Sequence, residues 1–259
     1  MTTNHTGTAE VLLDEQVRFL AGWLPTAPAR VLDAGCGDGA LALALSRAGY
    51  DVVAVDVDPA AVAATIATTA GLGVAAVEAD VTDLDIGDVN TGDVDGGGFD
   101  AVVFSLSLHH VERLGRAVTS AHALLNPGGT LVVDEFAWDS ADRATASWFY
   151  DAGAVLASTG LLAVDHLAAP VPDPYTSWRR RHRDDHGFNP GEAMIAAIHE
   201  QFDIETVVRA PYLYRYLGGW LDPGAAGAAA LGTLRRVEDL RISDRSVVPV
   251  GLRLLARTR

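Results

Sequence analysis

The sequence predicts an α/β fold built on a doubly wound, mostly parallel sheet with helices on both faces. Short apolar runs suited to buried parallel strands alternate with segments of helical periodicity. The first of these runs, Arg30–Ala34, leads through a turn with three glycines into a helix rich in leucine and alanine. The 259 residues are enough for one large domain of this class with a sizeable core.

Seven strands and seven helices follow from these patterns. The strands are predicted at Arg30–Ala34, Val52–Val55, Val74–Val77, Ala101–Phe104, Thr130–Phe136, Phe202–Arg209 and Val247–Ala256. The helices are predicted at Ala9–Leu24, Leu41–Ala48, Ala60–Ala70, Glu112–Leu125, Ser140–Ser158, Pro190–Gln201 and Pro223–Leu240. Asp58 and Pro59 are typical N-cap and first-turn residues for the third helix. Prolines up to Pro174 fix an extended path, so Val171–Tyr175 is not expected to be helical.

The glycine turn is the strongest indication of a ligand site. Gly35, Gly37 and Gly39 are spaced G-x-G-x-G, whereas a dinucleotide-binding turn has the spacing G-x-G-x-x-G. Asp38 adds a negative charge where a phosphate would not be favoured. Glycines accept positive φ and let the backbone touch a bound molecule, although they can also serve only to shape a tight turn.

Two carboxylates follow the next strands of the predicted sheet. Asp56 comes after the second strand, about twenty residues beyond the first glycine, where an acid can accept hydrogen bonds from ribose hydroxyls. Asp80 comes after the third strand, at the same edge. An adenosine ligand without phosphates fits these charges, although either residue can also be a plain solvated carboxylate.

Five motifs in chain order resemble those of the class I S-adenosylmethionine-dependent methyltransferases, over roughly residues 30–136. They are Val31-Leu32-Asp33-Ala34-Gly35-Cys36-Gly37-Asp38-Gly39, Val55-Asp56-Val57-Asp58-Pro59, Ala79-Asp80-Val81, Phe99-Asp100 through His109-His110-Val111, and Leu125-Asn126-Pro127-Gly128-Gly129-Thr130-Leu131. The resemblance implies a Rossmann-like sheet of seven strands with an antiparallel final strand. It also implies S-adenosyl-L-methionine as cofactor. A helical cap insertion after strand five is predicted separately, because the segment between strand five and Phe202 is longer than a simple crossover needs.

The resemblance further implies roles for individual residues. The glycine turn lies along the methionine moiety, and Asp33 matches the acid that contacts the methionine ammonium. Asp56 matches the acid that binds the ribose, and Asp80 with the Val81 backbone matches the site that faces the adenine amino group. The predicted cofactor-binding residues are Asp33, Gly35, Cys36, Gly37, Asp56, Val57, Asp80, Val81 and Ser105. Cys36, the single cysteine, also fits a small packing residue.

Three residues are candidates for catalysis. His109 and His110 follow strand four and Glu135 lies at the end of strand five, at the edge where ligands bind in such sheets. A histidine can take the proton of a hydroxyl acceptor near neutral pH, but a histidine here can also be a packing residue at a helix start. Other histidines could enter from the cap, although each is more typical of a surface: His166, His182, His186 and His199.

No metal is expected at the site. A metal-assisted mechanism needs several converging oxygen ligands, and the sequence offers only Asp134 and Glu135.

Composition restricts the partners. The chain has 19 basic residues, all arginine, against 34 acidic residues, which gives a net charge of −15. A surface of this sign repels phosphate backbones, so nucleic acid is not an expected partner. The single cysteine, a polar Met1–Thr8 and the lack of a membrane-length apolar run favour a cytoplasmic protein with no membrane partner. The oligomeric state is not predicted.

The chain is predicted to have four parts. Residues 1–28 form an N-terminal helix over the cofactor cleft, 29–137 the cofactor-binding core, 138–201 a substrate cap, and 202–259 the completion of the sheet. Within the core, Asp85–Gly98 predicts a mobile acidic loop. The cap contains aromatic residues that either enclose an apolar acceptor or form the core of the cap itself: Trp148, Phe149, Tyr150, Tyr175 and Trp178.

The cap also contains the one basic stretch of the chain, Arg179 to Arg183, interrupted by His182. Guanidinium groups bind carboxylate or phosphate in bidentate geometry, so the stretch could hold an anionic group of the substrate. The alternative is a solvated helix face whose arginines pair with Asp184 and Asp185.

The sequence as a whole favours O-methylation of a small molecule by metal-independent in-line displacement. Ser105-Leu106-Ser107-Leu108 stands where the nucleic-acid and protein amide-nitrogen methyltransferases of this fold have an Asn/Asp-Pro-Pro-aromatic signature. This difference favours an oxygen or carbon acceptor on a small molecule, with an amine as a further alternative. Two alternatives are an S-adenosylmethionine-binding protein or non-methylating enzyme that uses the fold as a scaffold, and a nicotinamide-dependent oxidoreductase. The glycine spacing opposes the second alternative.

Overall fold

A computed structural model describes residues 7–89, 98–162, 164, 167 and 171–259. Three earlier predictions fall wholly or partly outside the described residues. They concern residues 1–6 of the N-terminal part, residues 90–97 of the acidic loop, and His166.

The sheet has seven strands, and their arrangement confirms the predicted fold class. The strands are β1 (Arg30–Ala34), β2 (Asp51–Asp56), β3 (Ala75–Glu78), β4 (Phe99–Ser105), β5 (Leu125–Phe136), β6 (Phe202–Ala210) and β7 (Gly251–Thr258). Their order in the sheet is β3-β2-β1-β4-β5-β7-β6. The order in which successive strands are added reverses between β1 and β4, and doubly wound folds bind ligands at this point.

The first five strands are parallel to their neighbours. β1 pairs with β2 and β4, β2 pairs with β3, and β4 pairs with β5. The central strands are apolar and buried along most of their length, as expected for strands covered on both faces. Because they are parallel, their carboxyl ends meet at one edge, where Asp56 and Ser105 lie.

The final strand is antiparallel, as predicted. At one end of β5, the Gly128 amide donates to Thr258 Oγ1, near the end of β7, at 2.8 Å. Just beyond the other end of β5, the Ala137 amide donates to the Val250 carbonyl, just before β7 begins, at 2.8 Å. β5 and β7 therefore run in opposite directions.

Nine α-helices lie in the described part of the chain. They are α1 (Thr8–Ala21), α2 (Ala40–Arg47), α3 (Pro59–Thr68), α4 (Leu114–Leu124), α5 (Arg143–Ser158), α6 (Pro174–Arg179), α7 (Gly191–Gln201), α8 (Leu213–Gly218) and α9 (Ala225–Ser243). The described residues also include short 3-10 helices at Leu108–His110 and Trp138–Ser140 and a π-helix at Arg180–Asp185. The predicted N-cap is confirmed, because the Asp58 side chain accepts a hydrogen bond from the Ala60 amide.

Two local predictions are wrong, and one helix was not predicted. Val171–Tyr175 was expected to be non-helical, but α6 begins at Pro174, because proline is tolerated in the first turn and the Asp173 side chain caps it. Strand five was expected to begin at Thr130, but β5 begins at Leu125, so the segment Asn126–Gly129 was wrongly left outside the strand. It lies inside β5 as an irregularity in its pairing with β4. The unpredicted helix is α8, whose six residues are too short for a periodic signal.

The chain divides into two compact units. The sheet unit comprises Gln16–Phe136, Phe188–Val208 and Leu252–Arg259, and its core packs apolar residues such as Leu20, Val31 and Val103. The aromatic unit comprises the described residues up to Glu15 and those of Ala137–Gly187 and Arg209–Gly251. Its largest fully buried side chains include Trp138, Phe149, Trp178 and Tyr214. No helix within the described ranges is long and apolar enough to cross a membrane.

Candidate active site

The glycine turn between β1 and α2 is tightly packed against the protein itself. Gly35, Gly37 and Gly39 all have positive φ, at 83°, 55° and 78°. A Cβ on Gly35 would lie 2.3 Å from Ser107 Cβ, and a Cβ on Gly39 would lie 2.8 Å from the Thr65 backbone. A Cβ on Gly37 would have no atom within 4 Å. Gly35 and Gly39 are therefore required by packing, whereas Gly37 is required only by its backbone conformation.

Asp56 at the end of β2 holds the turn in place. One carboxylate oxygen accepts from the Gly37 amide at 3.0 Å, and the other accepts from the Asp58 amide at 3.0 Å. The side chain is half-buried. A carboxylate has about four acceptor positions, so hydrogen-bonding capacity remains. Asp56 is therefore held in place by two backbone amides.

Asp33 lies on β1, two residues before Gly35, and is buried. It is 2% exposed, and its Oδ2 atom has no hydrogen-bond partner among the described residues. Burial, with the charge of Asp56 as a smaller cause, raises the pKa of Asp33 to about 7. A buried carboxylate oxygen without a donor is costly, so this atom is suited to a cationic partner.

Asp80 after β3 belongs to an exposed charged network. It accepts from the Thr82 amide at 2.8 Å and from Arg113 Nη2 at 3.1 Å. The backbone hydrogen bond from Thr82, with smaller contributions from Arg113, lowers the pKa of Asp80 below its usual value. Arg113 also donates to Thr82 Oγ1 and to Asp83 Oδ2. Asp80 is therefore ionised and held in position near neutral pH.

A cleft of about 810 Å³ lies along the carboxyl edge of the parallel strands, within the sheet unit. Seven of the predicted site residues line it: Gly35, Gly37, Asp56, Val57, Asp80, Val81 and His110. Five predicted residues within the described ranges do not line it: Asp33, Cys36, Ser105, His109 and Glu135. The cleft has the size and the convergent polar groups of a small-molecule site.

Several lining residues were not predicted, including Leu106, Ser107, Glu112 and Arg113. Leu106 has a φ of 57°, which is costly for a residue with a large side chain and recurs at functional sites. Nothing in the sequence signals that conformation. Ser107 has a clearer role at the turn. Its hydroxyl donates to the Ala34 carbonyl at 2.6 Å, and its side chain packs on Gly35.

The two adjacent histidines have different surroundings. His110 is exposed and lines the cleft, whereas His109 is 4% exposed. His109 Nδ1 donates to Glu135 Oε2 at 2.5 Å, and its ring packs edge-on against Phe188 with centroids 4.8 Å apart. Glu135 also accepts from the amides of Ser107 and Leu108 at 2.8 and 2.5 Å. Glu135 and His109 therefore organise the backbone that carries His110.

The remaining predicted residues make contacts within the protein. Ser105 accepts a hydrogen bond from Gln16 of α1. Cys36 lies 3.3 Å from Thr65 Oγ1, and burial raises the pKa of its thiol to about 11. Asp134, which was considered as a metal ligand, pairs with Arg253 at 3.1 Å. No cluster of three or more histidine, cysteine or acidic residues suited to a metal occurs among the residues searched, which are those the structure describes.

The aromatic unit contains a second polar arrangement that the sequence did not indicate. His182 is fully buried, so the expectation of a surface residue is wrong for this histidine, whereas His186 and His199 are exposed. His182 Nδ1 donates to the Trp178 carbonyl at 2.7 Å, and Nε2 lies 3.0 Å from Tyr216 Oη. Tyr216 lies on α8, which the sequence did not predict.

The family profile of a methyltransferase domain matches residues 6–190 of the chain. An uncharacterised methyltransferase of Mycobacterium tuberculosis is 36% identical over 118 residues, which are 46% of this chain and 56% of that protein. The ribosomal RNA small subunit methyltransferase C of Chromohalobacter salexigens is 43% identical over 131 residues, 47% of this chain and 37% of that protein. The chain thus spans about half, or less, of the length of these curated relatives.

Solved structures share the fold over nearly the whole chain. An S-adenosylmethionine-dependent methyltransferase from Mesorhizobium loti has a TM-score of 0.58 at 21% identity, covering 95% of this chain and 99% of that one. The N-methyltransferase NodS from Bradyrhizobium japonicum, solved with S-adenosyl-L-homocysteine, has a TM-score of 0.52 at 14% identity, covering 97% and 87%. Because the family profile spans more than half of the residues, the chain belongs to the class I S-adenosylmethionine-dependent methyltransferase family.

Proposed function

We propose that the protein transfers a methyl group from S-adenosyl-L-methionine to an oxygen atom of a small molecule. The observation that carries the proposal is the cleft at the carboxyl edge of the sheet, where Gly37, Asp56 and Asp80 converge above the buried Asp33. Family membership argues against the nicotinamide-dependent oxidoreductase considered from the sequence.

The residues present fit this cofactor. Asp33 offers a buried oxygen without a donor, and a pKa of about 7 means that a cation nearby would stabilise its ionised form. The methionine ammonium is such a cation. Asp56 would accept from the ribose hydroxyls with its remaining acceptor positions, and Asp80 with the Val81 backbone would face the adenine amino group. Gly35, Cys36 and Gly37 would follow the methionine chain, and Val57 and Ser105 complete the proposed set.

The chemistry requires little from the protein beyond positioning. When bound, the cofactor supplies a methyl group that its sulfonium has already activated for displacement. The chain holds the reactants in line and excludes water. Holding two reactants in the correct geometry is a large source of rate enhancement in such transfers.

We assign the proton transfer to His110, which lines the cleft and can accept the proton of an acceptor hydroxyl. His109 and Glu135, the other catalytic candidates, hold the 3-10 helix that carries it. No metal takes part in this proposal.

A small-molecule acceptor is supported by the net charge of −15, which disfavours a nucleic-acid phosphate backbone. The similarity to a ribosomal RNA methyltransferase covers only 37% of that protein, so it supports the shared core and not the substrate. We also propose a cytoplasmic location and no membrane partner, and the location is consistent with a single cysteine, which cannot form an internal disulfide. We retain the four-part division at residues 28, 137 and 201 as part of the proposal.

The test has two arms. Calorimetry with S-adenosyl-L-homocysteine measures cofactor binding, and turnover of methyl-labelled cofactor with phenolic, carboxylic and amine acceptors measures transfer. The proposal expects binding at one site per chain and label transferred to a hydroxyl compound. Binding without transfer to any acceptor would favour a scaffold or non-methylating role, and the absence of binding would reject both.

A further inference from the structure

Two residues just before α7, Phe188 and Asn189, contact the 3-10 helix that carries His110. All three residues belong to the sheet unit. Phe188 and Asn189 are not helical, and Pro190 after them is the N-cap of α7. Neither residue was predicted from the sequence, and neither lines the cleft. Any effect of theirs on the chemistry must therefore pass through a residue that does.

Asn189 donates three hydrogen bonds to the backbone of this short helix. Its side-chain amide donates to the Leu108 carbonyl at 3.1 Å and to the Val111 carbonyl at 2.7 Å. Its backbone amide donates to the His109 carbonyl at 2.8 Å. The side-chain NH2 group has two donors, and both are used here. Asn189 thus holds the backbone on both sides of His110.

Glu135 holds the same helix from its other end. Its carboxylate accepts from the amides of Ser107 and Leu108, whereas Asn189 donates to carbonyls. A 3-10 helix of three residues has few hydrogen bonds of its own, and their geometry is poorer than in an α-helix. The position of the helix therefore depends on these two partners.

Phe188 contacts the histidine rings themselves. It meets the His110 ring edge-on, with centroids 4.5 Å apart and an angle of 83°, and the His109 ring at 4.8 Å and 85°. The two histidine rings lie 4.1 Å apart. Edge-on contacts between aromatic rings are favourable and depend on orientation. The exposed ring of His110 thus packs against two neighbouring rings.

We propose that Asn189 is a positioning residue that, together with Phe188, sets the place of His110 at the cleft. Asn189 touches neither the cofactor nor the acceptor in this proposal. It fixes the backbone of His110, so that the ring reaches the acceptor hydroxyl. A displacement of about 1 Å can lower the rate of such a step about 100-fold. The inference rests on the proposed function, because that function assigns the proton transfer to His110.

A double-mutant cycle tests whether Asn189 acts through His110. Transfer from labelled cofactor is measured in wild type, Asn189→Ala, His110→Gln and the double variant, with the phenolic, carboxylic or amine acceptor that the wild type methylates fastest. We expect Asn189→Ala to lower kcat at least about tenfold, with less than about twofold change in the KM for S-adenosyl-L-methionine. In the His110→Gln background the same change should lower kcat by less than about twofold, because the step that Asn189 positions is already lost.

A spectroscopic measurement gives a second readout that needs no acceptor. Proton–carbon NMR of labelled histidine rings is recorded on the full chain with S-adenosyl-L-homocysteine. Of the eight histidines, His110 is identified by the signal that disappears in His110→Gln. This signal should shift or broaden in Asn189→Ala, because the backbone is no longer held. It should also shift in Phe188→Leu, which removes a ring neighbour and leaves the Asn189 hydrogen bonds in place.

Asn126→Ala is the matched control. Asn126 is another half-buried asparagine of the sheet unit, and its amide group also donates twice, to the Gly98 carbonyl at 3.2 Å and to Asp100 Oδ1 at 3.1 Å. It does not line the cleft. This variant should retain the kcat and the His110 signal of the wild type. Circular dichroism and thermal melting confirm that each variant is folded.

Three results would overturn the inference. They are an unchanged His110 signal in folded Asn189→Ala, an equal change in Asn126→Ala, and a double variant in which the two losses of kcat multiply. A failure of the proposed function has a different signature. If no acceptor is methylated, or if His110→Gln is as active as the wild type, the proton-transfer role is rejected. The NMR comparison then decides alone whether Asn189 positions His110.

Discussion

Two buried glutamates, one in each unit, perform the same structural task with different neighbours. Glu135 in the sheet unit accepts from the amides of Ser107, Leu108 and Phe136. Glu238 in the aromatic unit accepts from the amides of Tyr212, Leu213 and Tyr214 at 2.8, 3.0 and 2.8 Å. Both side chains are fully buried. Each accepts hydrogen bonds from amides at the start of a short helix, which have no partner within the helix, and Glu135 also accepts from the Phe136 amide at the end of β5.

The difference lies in what each short helix carries. The helix held by Glu135 places Ser107 and His110 at the cleft, and Glu135 has a further partner in His109. The helix held by Glu238 carries Tyr216, and burial raises the pKa of Glu238 although its backbone hydrogen bonds oppose the shift. A buried acid in this protein therefore indicates an organised backbone. Whether such an acid affects catalysis depends on which side chains that backbone carries.

The largest effect is expected from replacing either glutamate with alanine. Three backbone amides would lose their acceptor in the interior, so Glu135→Ala and Glu238→Ala should each lower the free energy of unfolding by roughly 3–6 kcal/mol. Urea denaturation measures this. The two variants should differ in cofactor binding, because only Glu135 supports residues that line the cleft. Equal loss of S-adenosyl-L-homocysteine affinity in both variants would remove the distinction between them.

Asp33 sharpens the comparison because it is a buried acid without such amides. Its pKa of about 7 lies above the value of 3.8 expected in the unfolded chain. Between these two pH values the folded protein binds more protons than the unfolded chain. The contribution of Asp33 to the free energy of unfolding is therefore complete below about pH 4 and is lost as the pH rises to about 7. The wild type should lose roughly 2–3 kcal/mol of unfolding free energy between about pH 5 and 8 that Asp33→Asn does not lose.

If the free energy of unfolding of wild type and of Asp33→Asn changed with pH in the same way, Asp33 would have an ordinary pKa and the prediction would be wrong. The same titration should appear in binding. At about pH 6, S-adenosyl-L-homocysteine should release a proton from Asp33, visible as a binding heat that depends on the buffer.

The smallest effect is expected at the exposed rim of the cleft. Arg113→Gln removes the ion pair with Asp80, which is 3.1 Å long and largely solvated. Exposed pairs contribute little and are screened by salt, so S-adenosyl-L-homocysteine affinity should fall by only about threefold, and less at high ionic strength. Calorimetry at low and high salt measures this. A loss as large as that of Glu135→Ala would mean that Arg113 contacts the ligand directly.

The sequence was sufficient for the parts of the molecule that depend on local pattern. Apolar runs identified all seven strands, and the glycine spacing with Asp56 and Asp80 located the cleft. These features were predictable because a buried parallel strand and a strand-to-helix turn each need particular residues at fixed spacing.

Features that depend on contacts between distant segments were not predictable. Glu135 was predicted as a catalytic candidate, but its hydrogen bonds to backbone amides were not predicted, because no sequence pattern displays such contacts. The roles of Glu238 and Tyr216 depend on α8, and the conformation of Leu106 has no marker in its residue type. The partners of the arginines in the basic stretch were not predictable either. Arg183 pairs with Asp184, Arg180 lies near Asp185, and Arg181 donates to the Tyr216 hydroxyl.

The central claim is that the carboxyl edge of the sheet binds S-adenosylmethionine through Asp56. Calorimetric titration of wild type and Asp56→Ala with S-adenosyl-L-homocysteine tests it most directly. We predict one site per chain in the wild type and a loss of roughly 2 kcal/mol or more in Asp56→Ala, because buried hydroxyls lose a charged acceptor. Unchanged affinity in a folded Asp56→Ala variant, or no binding to the wild type, would contradict the account.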